Sequence, residues 1–548
     1  MRCYNLLFPP LLLMVFFTGC TNKSVSTGSD DVNLFNKDSL ARHIKMLASD
    51  SFQGRRPFTI GETRTIDYIQ SVFAKLKLEP ANGDSYFQKV PMVEITVTPD
   101  PVMKVQSANG RFNLASHTDY VMSTRETDSV ISLSNDEVIF AGFGIVAPEY
   151  KWNDYAGINV KGKVVLVMVN DPGLGSGDPA FFKGNTMTYY GRWTYKYEEA
   201  ERQGAKACLI IHNTAAASYP FSVVQSSWGS SNLFLDIRGK DQYHCSMQGW
   251  VTEDAANRLF KAAGKDSSLK IAAGKRGFKA ISLGIKLSTE IKIKSVYNTS
   301  QNVIGKITGT KYPGEYIIYT AHWDHFGIGK PDASGDSIYN GALDNASGSA
   351  ALLEIARAFK SLTTPPERTI IFLSVTGEEQ GLLGSAWYAQ NPLYPLDKTV
   401  AEINMDVIDP YDKTKDVVIT GEGQSDLEDY VIDEAKKQGR YIAPEAHPEA
   451  GHYFRSDHFN FAKAGVPALD ISSGIDVEGK GKEYGKKLKD DYTAQHYHQA
   501  SDNYDSSWTF ASGLKDMEIL FLTGKRLAFD TTWPKWKEGS EFKALRKR

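Results

Sequence analysis

The chain has 548 residues, 23% of them charged and 41% hydrophobic. These are the proportions of an ordinary globular protein with material for roughly two to four domains. Its formal net charge of -3 excludes a strongly basic surface built to seek nucleic acid.

The first twenty residues, MRCYNLLFPPLLLMVFFTGC, combine an early charge, an apolar stretch and small residues before Cys20. The stretch is short and interrupted by Pro9 and Pro10, which predicts a secretory signal rather than a membrane span. Phe17-Thr18-Gly19-Cys20 is similar to a bacterial lipoprotein cleavage box. Residues 1–20 are therefore expected to be a lipoprotein signal peptide, with Cys20 lipidated and anchoring the protein to a membrane. Residues 21–35 follow as a polar tether. The expected location is the bacterial outer membrane, on its periplasmic face or at the cell surface. In the folded body only Cys208 and Cys245 remain, read as two separate thiols with a disulfide as the alternative. There is no CxxC pair and so no cysteine-rich zinc site.

Between residues 36 and 80, DSLARHIKMLAS and RTIDYIQSVFAKLKL carry apolar residues at helical spacing. From about 92 to 145 the pattern alternates, as in MVEITVTP and EVIFAGFGI, and predicts strands. KGKVVLVMVNDPG reads as a buried strand, and YKYEEAERQGAKACLIIHN as a helix stopped at Gly204 and followed by another strand. AISLGIKLSTEIKIK alternates again. Beyond Asn302 the rhythm is strand, loop, helix: GEYIIYTAH, ASGSAALLEIARAFKSL, RTIIFLSV, GLLGSAWYAQNP, TVAEINMDVI. Strands alternating with helices predict a mostly parallel sheet covered on both faces. The expected organisation is an α/β domain, residues 36–129 and 286–548, interrupted by a β-rich insert at 130–285.

Open α/β sheets build their sites beyond the carboxyl ends of the strands. In the second half the polar residues at those ends are His322, Asp324 and His325, then Glu378 and Glu379, then Asp406, with Asp344 directly before a helix. Taken singly each has an ordinary structural reading; Asp344, for instance, could be a helix N-cap. Together they predict an oxygen and nitrogen donor set suited to zinc, and also to cobalt or manganese. In DDYTAQHYHQASD, His496 and His498 stand two apart on what reads as an extended segment, so only one is expected to reach the metal.

HWDH, GALDNASG, SVTGEEQGLLGS, EINMD, RSDHFNFAKAGVPAL and YHQASD follow the order of the di-zinc aminopeptidase and glutamate carboxypeptidase family, which the chain resembles from about 40 to 525. AGFGIVAPEYKWNDYAGINVKGKVVLVMVNDPG resembles the protease-associated domain inserted in many members. The resemblance implies a three-layer α/β/α zinc-exopeptidase domain with a mixed, mostly parallel sheet, plus that insert. It implies two Zn2+ bridged by Asp344, one completed by His322 and Asp406, the other by Glu379 and His498. Glu378 would bind no metal and serve as general base. Asp324 would orient His322, and Asp344-Asn345 would be a cis-type peptide. Tyr453, Arg455, Ser456 and Asp457 are expected toward the substrate, with Tyr453 or another tyrosine facing the oxyanion. His325 and His458 read as structural or rim residues. The aromatic run Tyr189 to Tyr197 reads as core, or as a wall over the cleft.

The expected function is hydrolysis of terminal peptide bonds, with peptides as substrates and an aminopeptidase favoured. The alternatives are a glutamate-carboxypeptidase-type enzyme and a receptor-like binding protein on the same fold. Glutaminyl cyclase is disfavoured because the insert is atypical for it. Oligomeric state is not legible.

Overall fold

In the computed structural model, strand Tyr312–His322 pairs in parallel with Arg368–Val375 on one side and Thr399–Asn404 on the other, and Thr399–Asn404 with Ala468–Leu469. The structure describes residues 34–228, 231–240 and 243–546, together with Met1. The expected signal peptide, the Cys20 anchor and most of the tether lie outside the described residues. The chain divides into two compact units, Met1–Leu34 and Phe35–Arg548, and the candidate site lies wholly in the second. No helix among the described residues is long and apolar enough to cross a membrane.

Strands Arg368–Val375 and Thr399–Asn404 are buried end to end, and Tyr312–His322 over its last six residues, as parallel strands covered on both faces should be. Their side chains alternate between two cores. Tyr319 and Phe372 stack on one face, where Phe359 of helix Gly348–Lys360 meets Phe521 of helix Gly513–Phe529. Ile318, Ile371 and Leu373 face the other way, into a core with Tyr388 and Phe461 from helices Leu383–Gln390 and His458–Lys463. This is the three-layer α/β/α arrangement, with a mixed, mostly parallel sheet.

Strand Ile281–Ile307 is antiparallel to all its partners, Phe87–Pro99 among them. Its last residues pair with Arg368–Val375 and its first with Val130–Phe140. Beyond the latter, Val164–Met168, Ala207–Ile211 and Met247–Val251 run parallel, and Tyr120–Ser123 closes the edge antiparallel. Residues 103 to 291 supply a separate apolar core here, around Phe140, Leu166, Leu209 and Phe260. Cys208 and Cys245 are buried free thiols.

The aromatic run divides its contacts. Tyr197 and Trp193 pack against Trp228, and Trp193 also against Trp250, within residues 193–250. Tyr189 instead meets Phe454 and Phe459, ring centroids 6.0 and 5.0 Å away. The run is mainly core, and through Tyr189 it docks residues 187–193 against the 448–463 segment.

Candidate metal centre and active site

Parallel register brings the strand ends level: His322 lies opposite Val375, and Thr320 opposite Asn404. His322 is the last residue of its strand. Glu378 and Glu379 follow Val375 after a turn at Gly377, whose φ of +66° suits glycine. Asp406 stands two residues beyond Asn404. Asp344 enters from the segment before helix Gly348–Lys360, and the Asp344-Asn345 peptide is cis.

Asp344 presents its two carboxylate oxygens to opposite sides. Oδ1 lies 3.4 Å from His322 Nε2 and Oδ2 lies 3.2 Å from His498 Nε2. On the first side Asp406 Oδ1 is 3.3 Å from the same His322 nitrogen. On the second, Glu379 Oε2 is 3.4 Å from His498 Nε2. Three metal-sized donor groups overlap here: His322, Asp344 and Asp406; His325, Asp344 and Glu379; and His322, Glu378 and Glu379. Among the described residues no lysine or arginine pairs with Asp344, Glu378, Glu379 or Asp406. Four carboxylates and only imidazole partners are the donor chemistry of a divalent cation such as zinc, so the residues fit the metal that the spacing predicts.

The two adjacent glutamates diverge. Glu379 turns to His325 Nδ1 at 2.5 Å and to His498, whereas Glu378 Oε2 is 3.9 Å from His322. Burial, with Asp406, Glu379 and Asp457 nearby, pushes the Glu378 carboxyl well above the usual range, against the opposing pull of His322. For His322 burial works downward, but Glu378, Asp406 and Asp344 outweigh it and raise the imidazole. Burial likewise opposes ionisation of Asp344, yet hydrogen bonds to His322 and His498 hold its carboxyl well below the ordinary value. His498 is held up at about 9, because Glu379 and Asp344 outweigh the effect of burial.

The surroundings position these groups. Arg55, buried, donates to the carbonyls of Trp323, Leu47, Asn340 and Gly341, and at 3.4 Å to that of Asp344. Asp502 accepts the backbone N–H groups of Leu343 and Asp344. Asn345 donates to Met405 O and accepts from Val407 N, tying the Asp344 segment to the one bearing Asp406.

Several expectations change in detail. His322 Nδ1 is 3.2 Å from the backbone carbonyl of Asp324 but 3.8 Å from its carboxylate, which instead accepts Glu378 N–H at 3.1 Å. Asp324 therefore orients His322 through its main chain and the Glu378 turn through its side chain. Residues 496–498 form a turn rather than an extended segment, with His498 at φ +58°. His498 alone reaches the cluster, while His496 Nδ1 meets Ser501. Tyr453 is a core residue against His458 and Phe542, so it does not face substrate. His458 is buried with it. Ser456 accepts from Asn404, and Asp457 accepts from Ser385 at 2.5 Å beneath the cluster. Burial raises the Asp457 carboxyl to about 7. His325 is more than a rim residue, being buried against Glu379.

The tyrosine at the site is Tyr497, stacked on His498 with centroids 3.8 Å apart. The residue is 42% exposed, yet local desolvation and the charges of Asp344, Glu379, Glu378 and Asp406 raise its phenol above the ordinary value. Its adjacency to His498 was the available signal in the sequence.

With this geometry, residues 302–521 match the profile of peptidase family M28. The chain carries a peptidase family M28 domain. Aminopeptidase NAALADL1 of Mus musculus is 40% identical over 129 residues, 22% of this chain and 16% of that protein. Aminopeptidase YwaD of Bacillus subtilis (strain 168) is 24% identical over 376 residues, 66% of each chain. The matches thus span between 16% and 66% of these curated relatives' lengths. The solved aminopeptidase from Aneurinibacillus sp. strain AM-1 aligns over 92% of this chain and 94% of that one, at 19% identity and a TM-score of 0.48.

Proposed function

We propose that this M28 chain is an exported, lipid-anchored zinc exopeptidase, an aminopeptidase that cleaves single residues from peptides. The observation that carries the reading is Asp344, whose two oxygens face two separate donor groups. His322, Asp344 and Asp406 would hold one Zn2+, and Asp344, Glu379 and His498 a second; Co2+ or Mn2+ could substitute. Zinc bound there supplies a Lewis acid and a water whose pKa is lowered toward ~7. Glu378, beside the cluster and free of Asp344 and His498, takes the proton from the attacking water as its carboxylate. It then delivers that proton to the leaving amine as the C–N bond breaks. The Tyr497 hydroxyl, kept protonated, can donate a hydrogen bond to the developing oxyanion. The segment at 130–285 is read as the protease-associated insert and Cys20 as the lipid anchor, on the similarity and the N-terminal sequence respectively.

The test is cleavage of a panel of aminoacyl p-nitroanilides and N-blocked peptides by the purified mature protein, with metal content measured alongside. Turnover of the free-amine substrates with about two zinc ions per chain supports the reading; cleavage only of N-blocked peptides at their C-termini would replace it with a carboxypeptidase.

A further inference from the structure

His325 takes no part in the proposed hydrolysis, yet it is buried at the cluster with Nδ1 2.5 Å from Glu379 Oε1. Its Nε2 is also buried and makes no hydrogen bond. The ring is wedged in place. Phe326 meets it edge-on with centroids 4.8 Å apart, and the same phenyl ring lies 4.7 Å from the His498 ring. Behind it stands Gly341, where an added Cβ would come within 2.6 Å of His325 Cδ2. The carbonyl of Gly341 is one of those held by Arg55, so the imidazole rests on backbone that Arg55 fixes.

Distance separates this contact from the others at the cluster. Two donors on one tetrahedral zinc, with bonds of ~2.0–2.1 Å, stand about 3.3 Å apart. The pairs His322–Asp344, His322–Asp406, His498–Asp344 and His498–Glu379 measure 3.4, 3.3, 3.2 and 3.4 Å, which is that spacing. At 2.5 Å His325 and Glu379 are too close to share an ion and make a short hydrogen bond instead. An ionised carboxylate only accepts, so Nδ1 carries the proton and donates. Proximity alone, moreover, does not choose between the adjacent glutamates. His322, Glu378 and Glu379 offer donor atoms within 4.8 Å of one another, as His325, Asp344 and Glu379 do. Something must hold one carboxylate to the metal side and leave its neighbour free.

We propose that His325 is the positioning residue that makes this choice: its Nδ1–H tethers Glu379 Oε1, which leaves Oε2 beside His498 for the metal and Glu378 unclaimed. This rests on the zinc reading above. Fixing the carboxylate before the ion arrives removes the entropy cost of ordering it on binding. Hydrogen-bond partners of metal ligands are worth about ten- to a hundredfold in metal affinity.

The experiment is titration of metal-free wild type, His325→Ala, His325→Asn and His325→Gln with zinc against a chromophoric chelator, with cobalt(II) absorption spectra of the same proteins. Asparagine keeps an amide donor where Nδ1 stands, whereas glutamine carries it out to the position of Nε2. The expected result for His325→Ala is a dissociation constant raised about ten- to a hundredfold at one zinc site and changed less than about threefold at the other. His325→Asn should recover most of the loss together with the wild-type cobalt spectrum, and His325→Gln should recover neither. Constants within about twofold of wild type in His325→Ala would overturn the proposal. Equal loss in all three variants, each folded by circular dichroism, would overturn it too and make the imidazole itself a ligand. A crystal structure of the zinc-loaded wild type decides without any variant. His325 on Glu379 and clear of both ions supports the tether; an imidazole–zinc bond of ~2.1 Å contradicts it. A wild type that binds no zinc would remove the metal reading and this inference with it.

Discussion

His498 Nε2 lies 3.2 Å from Asp344 Oδ2, while the other oxygen of that carboxylate faces His322. One side chain thus joins two histidines that are separated by 176 positions in the chain. A carboxylate shared in this way should govern both metal positions at once. Asp344→Asn is expected to lower zinc content to below one ion per chain and to reduce kcat/KM at least about a hundredfold. Elemental analysis of the dialysed variant checks this; two retained zinc ions would remove the bridging role.

Arg55 is the keystone of the segment that carries Asp344. Replacing it by Met leaves the buried carbonyls of Trp323, Leu47, Asn340 and Gly341 without their donors. The loss should be about 3 kcal/mol or more, seen as a clear fall in Tm and a weaker hold on zinc. A Tm within about 1 °C of wild type would show that water replaces the guanidinium at no cost.

Glu354 provides a pH signature away from the metal cluster. Burial works against its charge, but hydrogen bonds involving His43, Ser39 and Arg357 outweigh it and hold the carboxyl at about 2, below the ordinary 4.5. Because the folded value is depressed, the stabilisation is complete above about 4.5 and is lost as pH falls toward about 2. It amounts to about 3 kcal/mol. Urea unfolding of wild type and Glu354→Gln between these pH values should show a gap that closes as pH falls. A gap independent of pH would place the effect in packing instead.

Tyr497→Phe removes the hydroxyl proposed to meet the oxyanion and leaves the stack on His498. The expected effect is a fall in kcat of about a hundredfold with KM changed far less and zinc content retained. A pure KM effect would assign Tyr497 to substrate binding.

Much of this was legible because strands announce themselves. YIIYTAH, RTIIFLSV and TVAEINM are apolar runs that stop at ligand-capable residues, so His322, Glu378, Glu379 and Asp406 could be placed before any coordinates. What stayed hidden depends on distant contacts. Nothing local in LASDSFQGRR tells that Arg55 reaches carbonyls 268 to 289 positions away. Nor does YYGRW tell that Arg192 is carried against the 448–463 segment by Tyr189. Tyr453 stands two residues before the RSDHFNFAKAGVPAL motif, but its neighbours Phe454 and His458 draw it into the core. Alternation led to the expectation that one of His496 and His498 would face the cluster, but a left-handed turn, not an extended segment, presents His498.

The most direct measurement is kcat of Glu378→Gln on an aminoacyl p-nitroanilide, with zinc content determined on the same sample. Loss of turnover by about three orders of magnitude or more with zinc unchanged is the result expected on the proposal that Glu378 moves the proton and holds no metal. Turnover near the wild-type level, or zinc lost together with activity, would contradict the division of labour between Glu378 and Glu379.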